Sequence, residues 1–170
     1  ERHTVLGEFL DAWSKVEMAM AAVLQELLST DRENIPALMN SLGTRGQLDI
    51  LNELGAATFN DETFKEFAAI MGRIKANNTR RNFIVHGYWR LEILVRNHGG
   101  RPALVYHQIR AYSPTNHEER KKLEDRSNVK ERLKYHYRLP RIRALTHELH
   151  SIWSDLTSFS GRHFRPNLVK

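Results

Sequence analysis

The sequence predicts a mainly α-helical fold, a bundle of four amphipathic helices with a β-hairpin inserted before the last. Two observations carry it. Apolar residues recur at helical spacing in four separate stretches. Between the third and fourth, the pattern changes to strand-forming residues split by Asn97-His98-Gly99-Gly100, a strong turn signal. The length of 170 residues, 41% of them hydrophobic, suits one domain with a core of its own. No apolar stretch is long enough to span a bilayer, so no membrane partner is expected.

The first helix is marked by Val5, Phe9, Ala12, Trp13, Val16, Met20, Val23, Leu24 and Leu27, a single stripe ended by Ser29-Thr30-Asp31. Residues 31–43, with Pro36 and Gly43, read as irregular. Thr44 is placed to cap a second helix, with Leu48, Ile50, Leu51 and Leu54 on its apolar side and Gly55 as its stop. Asn60-Asp61 opens the third. Its stripe is Phe64, Phe67, Ala68, Met71, Ile74 and the stem of Lys75, continuing through Asn78, Phe83 and Val85 to a C-terminal glycine, Gly87. Tyr88–Arg96 and Leu104–Arg110 read as the two strands of the hairpin. Residues 113–138 carry 8 Lys and Arg and 5 Asp and Glu, and read as a solvated helix or a connection. The last helix starts at Leu139 or Pro140 and runs to Phe159, with Ile142, Leu145, Leu149, Ile152, Trp153 and Leu156 as its stripe. Residues 161–170 carry no pattern. The whole is read as one domain, 1–170, in which 88–138 form the hairpin plus a charged insertion.

Charge divides unevenly. Residues 1–70 hold 5 Lys and Arg against 12 Asp and Glu, whereas residues 71–170 hold 21 against 8. A cationic second half fits a polyanion, most simply nucleic acid. Attraction between the two halves, within a chain or across a dimer, is the other reading. The absence of cysteine excludes disulfides and thiolate metal sites, and fits a reducing cytoplasm. The start, Glu1-Arg2-His3, lacks the basic and apolar regions of a signal peptide, so a cytoplasmic location is expected. His147 and His150 lie three apart with no evident third ligand, and no Gly-rich phosphate loop is present, so neither a metal nor a cofactor is expected. Asn77-Asn78-Thr79 fits a glycosylation sequon, which matters only in a secreted chain.

Arg81-Asn82-Phe83-Ile84-Val85-His86-Gly87 gathers the residues best suited to chemistry. Arginine carries a permanent charge and a donor fork that matches phosphate. Histidine exchanges a proton near neutral pH. Such a set can cleave a phosphodiester. The ribose 2′-OH attacks phosphorus, an imidazole serves as general base or general acid, and the arginine stabilises the charge of the phosphorane. The products are a 2′,3′-cyclic phosphate and a 5′-OH, and DNA is spared. On a helix Asn82 and His86 share a face. Arg81 and His86, five apart, diverge by about 140°, so two such helices facing across a two-fold axis are needed to converge them. The competing reading is local satisfaction, with His86 on the last carbonyls and Arg81 paired with Glu17 of the first helix.

With R-N-x-x-x-H-G near the end of the third of four helices, the chain resembles the HEPN superfamily (higher eukaryotes and prokaryotes nucleotide-binding). That family's mark is Arg, four to six residues, then His. Arg81 and His86 match it, and Asn82 matches the polar residue often found after the Arg. The resemblance covers residues 1–87 and 139–160, with the hairpin and charged segment as an insertion. It implies a metal-independent endoribonuclease, working as a homodimer with its site in the dimer cleft, as a toxin or defence effector with an antitoxin partner. Arg81, Asn82 and His86 become the catalytic residues, and Arg80 and Arg90 extend a cationic floor for RNA, with Arg96, Arg101 and Arg110 beyond them. Arg81, His86 and Tyr88 also match the R-x4-H-x-Y form of toxins whose partner nucleotidyltransferase adenylylates the tyrosine; a strand residue packed on the bundle is the other reading of Tyr88. The alternative functions are a non-catalytic HEPN module that binds nucleotide, RNA or a protein partner, and a purely structural dimerisation domain. Lys134-Tyr135-His136-Tyr137-Arg138 mixes bases and aromatics as single-strand binders do, or forms an amphipathic connector.

Overall fold

A computed structural model describes residues 2–29, 34–94, 103–110 and 137–164, and of residues 87–94 and 103–110 only the backbone. The described chain is a mainly helical bundle of five helices: α1 (Arg2–Leu28), α2 (Asn34–Ser41), α3 (Thr44–Thr58), α4 (Asp61–His86) and α5 (Leu139–Phe164). Between α4 and α5, the backbones of β1 (Gly87–Leu94) and β2 (Ala103–Arg110) pair antiparallel, from Gly87 opposite Arg110 to Leu94 opposite Ala103. Among the described residues no helix is long and apolar enough to cross a membrane. The chain divides into two compact units, Glu1–Asn78 with Arg143–Lys170, and Thr79–Ile142.

In the first unit, α1 buries Val5, Phe9, Ala12, Trp13, Val16, Met20, Val23 and Leu24, as its spacing dictates, and packs on α2 and α3. Phe59, Phe67 and Phe159 meet with ring centroids 5.3–5.4 Å apart, joining the end of α3, α4 and α5 into one aromatic cluster. Polar ties follow α4 and α5 along their length. Arg162 pairs with Glu66, Arg73 Nη1 lies 2.5 Å from Asp155 Oδ2, and Asn77 Nδ2 donates to Glu148 Oε1 at 2.9 Å. As numbers rise along α4 they fall along α5, so the two helices run antiparallel in this unit.

The start of α4 is set by its sequence. Asn60 Oδ1 accepts the backbone N–H of Thr63 at 2.9 Å, and Asp61 and Glu62 occupy the first turn, where the helix dipole favours negative charge.

Several expectations are corrected. Residues 34–41 are helical, not irregular, because Pro36 falls in the first turn, where a missing N–H leaves no intrahelical bond unmade. Ile35 and Met39, four apart, are the buried side of α2. Gln47 of α3 donates to the carbonyls of Met39 (2.8 Å) and Leu42 (3.1 Å), supplying partners at the end of that helix. Thr44 is not a cap: Gly43 holds that position with extended backbone and no side-chain hydrogen bond. Gly55 does not stop α3, which continues to Thr58, and a Cβ at Gly55 would lie 2.7 Å from the Phe67 ring. Val85 and Trp153 are exposed rather than buried, and Ile84 and Phe159 take the core positions instead. The last helix runs to Phe164, past Phe159.

Candidate functional site

The final turns of α4, the paired backbones of β1 and β2, Tyr137 and the start of α5 belong to the second unit. Ile84 is its buried apolar residue on α4, at 1% exposure. Around it the polar residues are graded: Arg80 and Arg81 are half-buried, and Asn82 and His86 are exposed. Phe83 lies between Asn82 and Ile84 and is half-buried. Among the described residues, the last turns of α4 bury Ile84 and leave His86 open to solvent.

Arg81 Nη1 donates to Asn82 Oδ1 at 3.1 Å. The Asn82 amide, which helical spacing places on the face of His86, therefore holds the guanidinium. His86 closes α4, one turn beyond Asn82 and on its face. Arg81 and His86 remain on one continuous helix, separated by about 7.5 Å of rise and 140° of turn, so one copy of α4 does not bring them onto the same atom. Glu17, the candidate partner for Arg81 in the local reading, accepts the Trp13 indole N–H at 2.7 Å.

Tyr88 and Arg90 lie on β1, where their backbones pair with Ile109 and His107; their side chains lie outside the described structure. Arg96, Arg101 and the segment 111–136 also lie outside the described residues.

Tyr137 belongs to the stretch that reads either as a single-strand binder or as an amphipathic connector, and its burial bears only on the first of these. Its ring is buried, at 2% exposure, and is closed to stacking with a nucleic-acid base. The guanidinium carbon of Arg141 sits 4.6 Å from the ring centroid. Burial pushes the Tyr137 hydroxyl above its ordinary pKa of 10.0, while the charges of Arg141 and Arg80 draw it part of the way back. The one available signal was spacing: Tyr137 and Arg141 are four apart at the entry to a helix. That entry has no acid in its first turn, and Arg141 stands where the helix dipole is itself positive.

In the first unit, a groove of about 390 Å³ between α4 and α5 is lined by Glu66, Ile70, Arg73, Asp155 and Arg162. Its charges already answer one another, as the Arg73–Asp155 and Arg162–Glu66 pairs, which leaves it electrostatically closed. Among the described residues no three His, Asp or Glu side chains gather as a metal-ligand set; His147 is exposed and His150 half-buried on α5. Asn77, the sequon position, is buried at 2% exposure and donates to Arg73 O and Glu148 Oε1, so the folded chain offers no acceptor there.

No family model, curated protein or solved structure matches this chain.

Proposed function

We propose that this chain is a metal-independent endoribonuclease of HEPN type, a four-helix HEPN-like bundle with a hairpin inserted before its last helix. Two copies bring the ends of α4 together around one groove. His86 acts as general base or acid on the 2′-OH or the 5′-oxygen, and Arg81 stabilises the phosphorane. Asn82 orients Arg81, and Arg80 and Arg90 hold flanking phosphates. The observation that carries the reading is the state of the last α4 turns: an exposed imidazole and an exposed amide, with that amide already bonded to the neighbouring guanidinium. The symmetry requirement follows from the divergence of Arg81 and His86 on a single helix. The role fits a toxin or defence effector acting on cytoplasmic RNA, with Tyr88 as the point where a nucleotidyltransferase partner silences it.

The test is cleavage of a single-stranded RNA in EDTA by the wild type and by His86→Ala. The expected loss is about 10²–10⁴-fold, the range for removing a general acid or base. Cleavage that persists unchanged in His86→Ala overturns the assignment. A wild type that binds RNA and leaves it intact selects the non-catalytic HEPN module instead. A monomer by light scattering at assay concentration removes the shared groove.

A further inference from the structure

Met18 is 72% exposed on α1, and Trp153 is 40% exposed on α5. Single exposed apolar side chains are ordinary on a protein surface. These two adjoin one groove. It measures about 240 Å³, lies between α1 and α5, and is lined by Ala19, Ala22, Leu156, Thr157, Ser160 and Gly161. Met18 stands one turn before Ala22, and Trp153 one turn before Thr157, so each shares a helix face with a wall of the groove. All of these residues belong to the unit Glu1–Asn78 with Arg143–Lys170. None of them is charged, in a chain whose residues are 27% charged. A Cβ at Gly161 would meet no described atom within 4 Å, so the groove is open at that end. One turn before Ala19, Lys15 already pairs with Asp11 at 2.8 Å.

We propose that this face of α1 and α5 is a self-association surface: two copies of the chain meet on it about a two-fold axis, and the Trp153 ring of each fills the groove of the other. A two-fold contact requires one patch to fit itself. This patch carries both halves of such a fit, a protruding aromatic and a recess walled by alanine, serine and glycine. Trp and Met are enriched in the cores of interfaces, where charged residues are depleted. The area suffices. At 1.5 Å per residue, α1 is about 40 Å long and α5 from Arg143 onward about 33 Å, and two helices each about 10 Å wide cover about 700 Å². A standard interface takes about 800 Å² from each partner. Each copy carries a net charge of +6, so copies repel, and a face without charge is where they meet at least electrostatic cost. The inference goes beyond the ribonuclease reading and does not rest on it, because Arg81 to His86 belong to the other unit.

The experiment measures the mass of the full chain by light scattering and sedimentation over a dilution series. Melting curves accompany each variant. The wild type is expected to be a dimer that dissociates on dilution. Ala22→Glu places a charge in the wall of the groove at an exposed helical position, and Trp153→Gln removes the protruding ring. Each is expected to raise the dissociation constant by about thirtyfold, the effect of losing one interface hot spot. A folded Ala22→Glu protein that dimerises like the wild type overturns the inference, as does a folded Trp153→Gln protein that does so. If Trp153→Gln does not fold, Ala22→Glu still decides. Val85, 39% exposed near the end of α4, supplies the contrasting variant. A dimer that Val85→Glu breaks and Ala22→Glu leaves intact overturns this inference alone and keeps the pairing of α4 ends. A wild type that stays monomeric throughout the series overturns this inference and removes the shared groove of the ribonuclease reading with it.

Discussion

Arg81 Nη1 donates to Asn82 Oδ1, its neighbour in sequence, at 3.1 Å. Consecutive residues on a helix point about 100° apart, so such a bond needs the long arginine to fold back toward the amide. Asn82 then acts as a brace for the guanidinium. In the proposed reaction, Arg81→Ala removes the charge that answers the phosphorane and is expected to lower kcat by about 10²–10³-fold, the range for losing an electrostatic donor. Asn82→Ala removes only a neutral brace and is expected to cost about fivefold, equivalent to about 1 kcal/mol. Single-turnover cleavage of one RNA by both variants checks the order. An Asn82→Ala loss as large as that of Arg81→Ala would give the amide a direct part in the chemistry.

Gly55 and Phe67 make the opposite kind of demand, one of space. A glycine inside a helix normally costs about 1 kcal/mol relative to alanine, so Gly55→Ala in open solvent would stabilise α3. Here the new Cβ would lie 2.7 Å from Phe67 Cδ1 and Cε1. That ring is fully buried and touches Phe59 and Phe159, so it has little room to retreat. Overpacking of this kind costs about 1–3 kcal/mol and outweighs the propensity gain. Gly55→Ala is expected to lower the midpoint of urea unfolding; a raised midpoint would show that the aromatic cluster repacks freely.

Much of the fold was legible because burial follows period. The α1 stripe is buried from Val5 to Leu24 at the positions its spacing marks, and Asn60 caps α4 as its residue type suggests. Other features are tertiary and leave little trace in the chain. Gly55 looks like a stop because the ring that excludes a side chain there is twelve residues away. Gln47 looks like a polar helix residue, yet it is buried so that its amide reaches carbonyls at the end of α2. Asn77 looks like a sequon and serves as a tie from α4 to α5. At the candidate site, the helical placement of Arg81, Asn82 and His86 was readable from spacing. That Asn82 braces the arginine was not, because an amide at that spacing serves either neighbour equally well.

Ser29 ends α1 with φ at 47°, and its N–H reaches Glu26 O at 3.2 Å. A side chain in this left-handed region costs about 1–2 kcal/mol that glycine avoids. Glycine also gains freedom in the unfolded chain, which takes back about 0.5–1 kcal/mol. The balance favours Ser29→Gly by about 0.5–1 kcal/mol, and thermal melting is expected to show a rise of a few degrees. A fall would mean that the hydroxyl makes a contribution beyond its backbone.

Tyr137 is expected to weaken the fold at alkaline pH. Burial raises the phenol above 10.0, with Arg141 and Arg80 offsetting only part of the shift. The unfolded chain releases this proton near 10.0, while the folded chain keeps it to higher pH. Above 10.0 the native state therefore binds more protons than the unfolded state, and stability falls as pH rises. Below 10.0 both states hold the proton, and the group's contribution is present in full. Tyr137→Phe removes the ionisation and keeps the ring beneath Arg141. Urea unfolding of the wild type and of Tyr137→Phe at pH 8 to 11 is expected to show equal slopes against pH below 10.0 and a shallower decline for the variant above it. Parallel declines through that upper range would place the alkaline sensitivity on other groups.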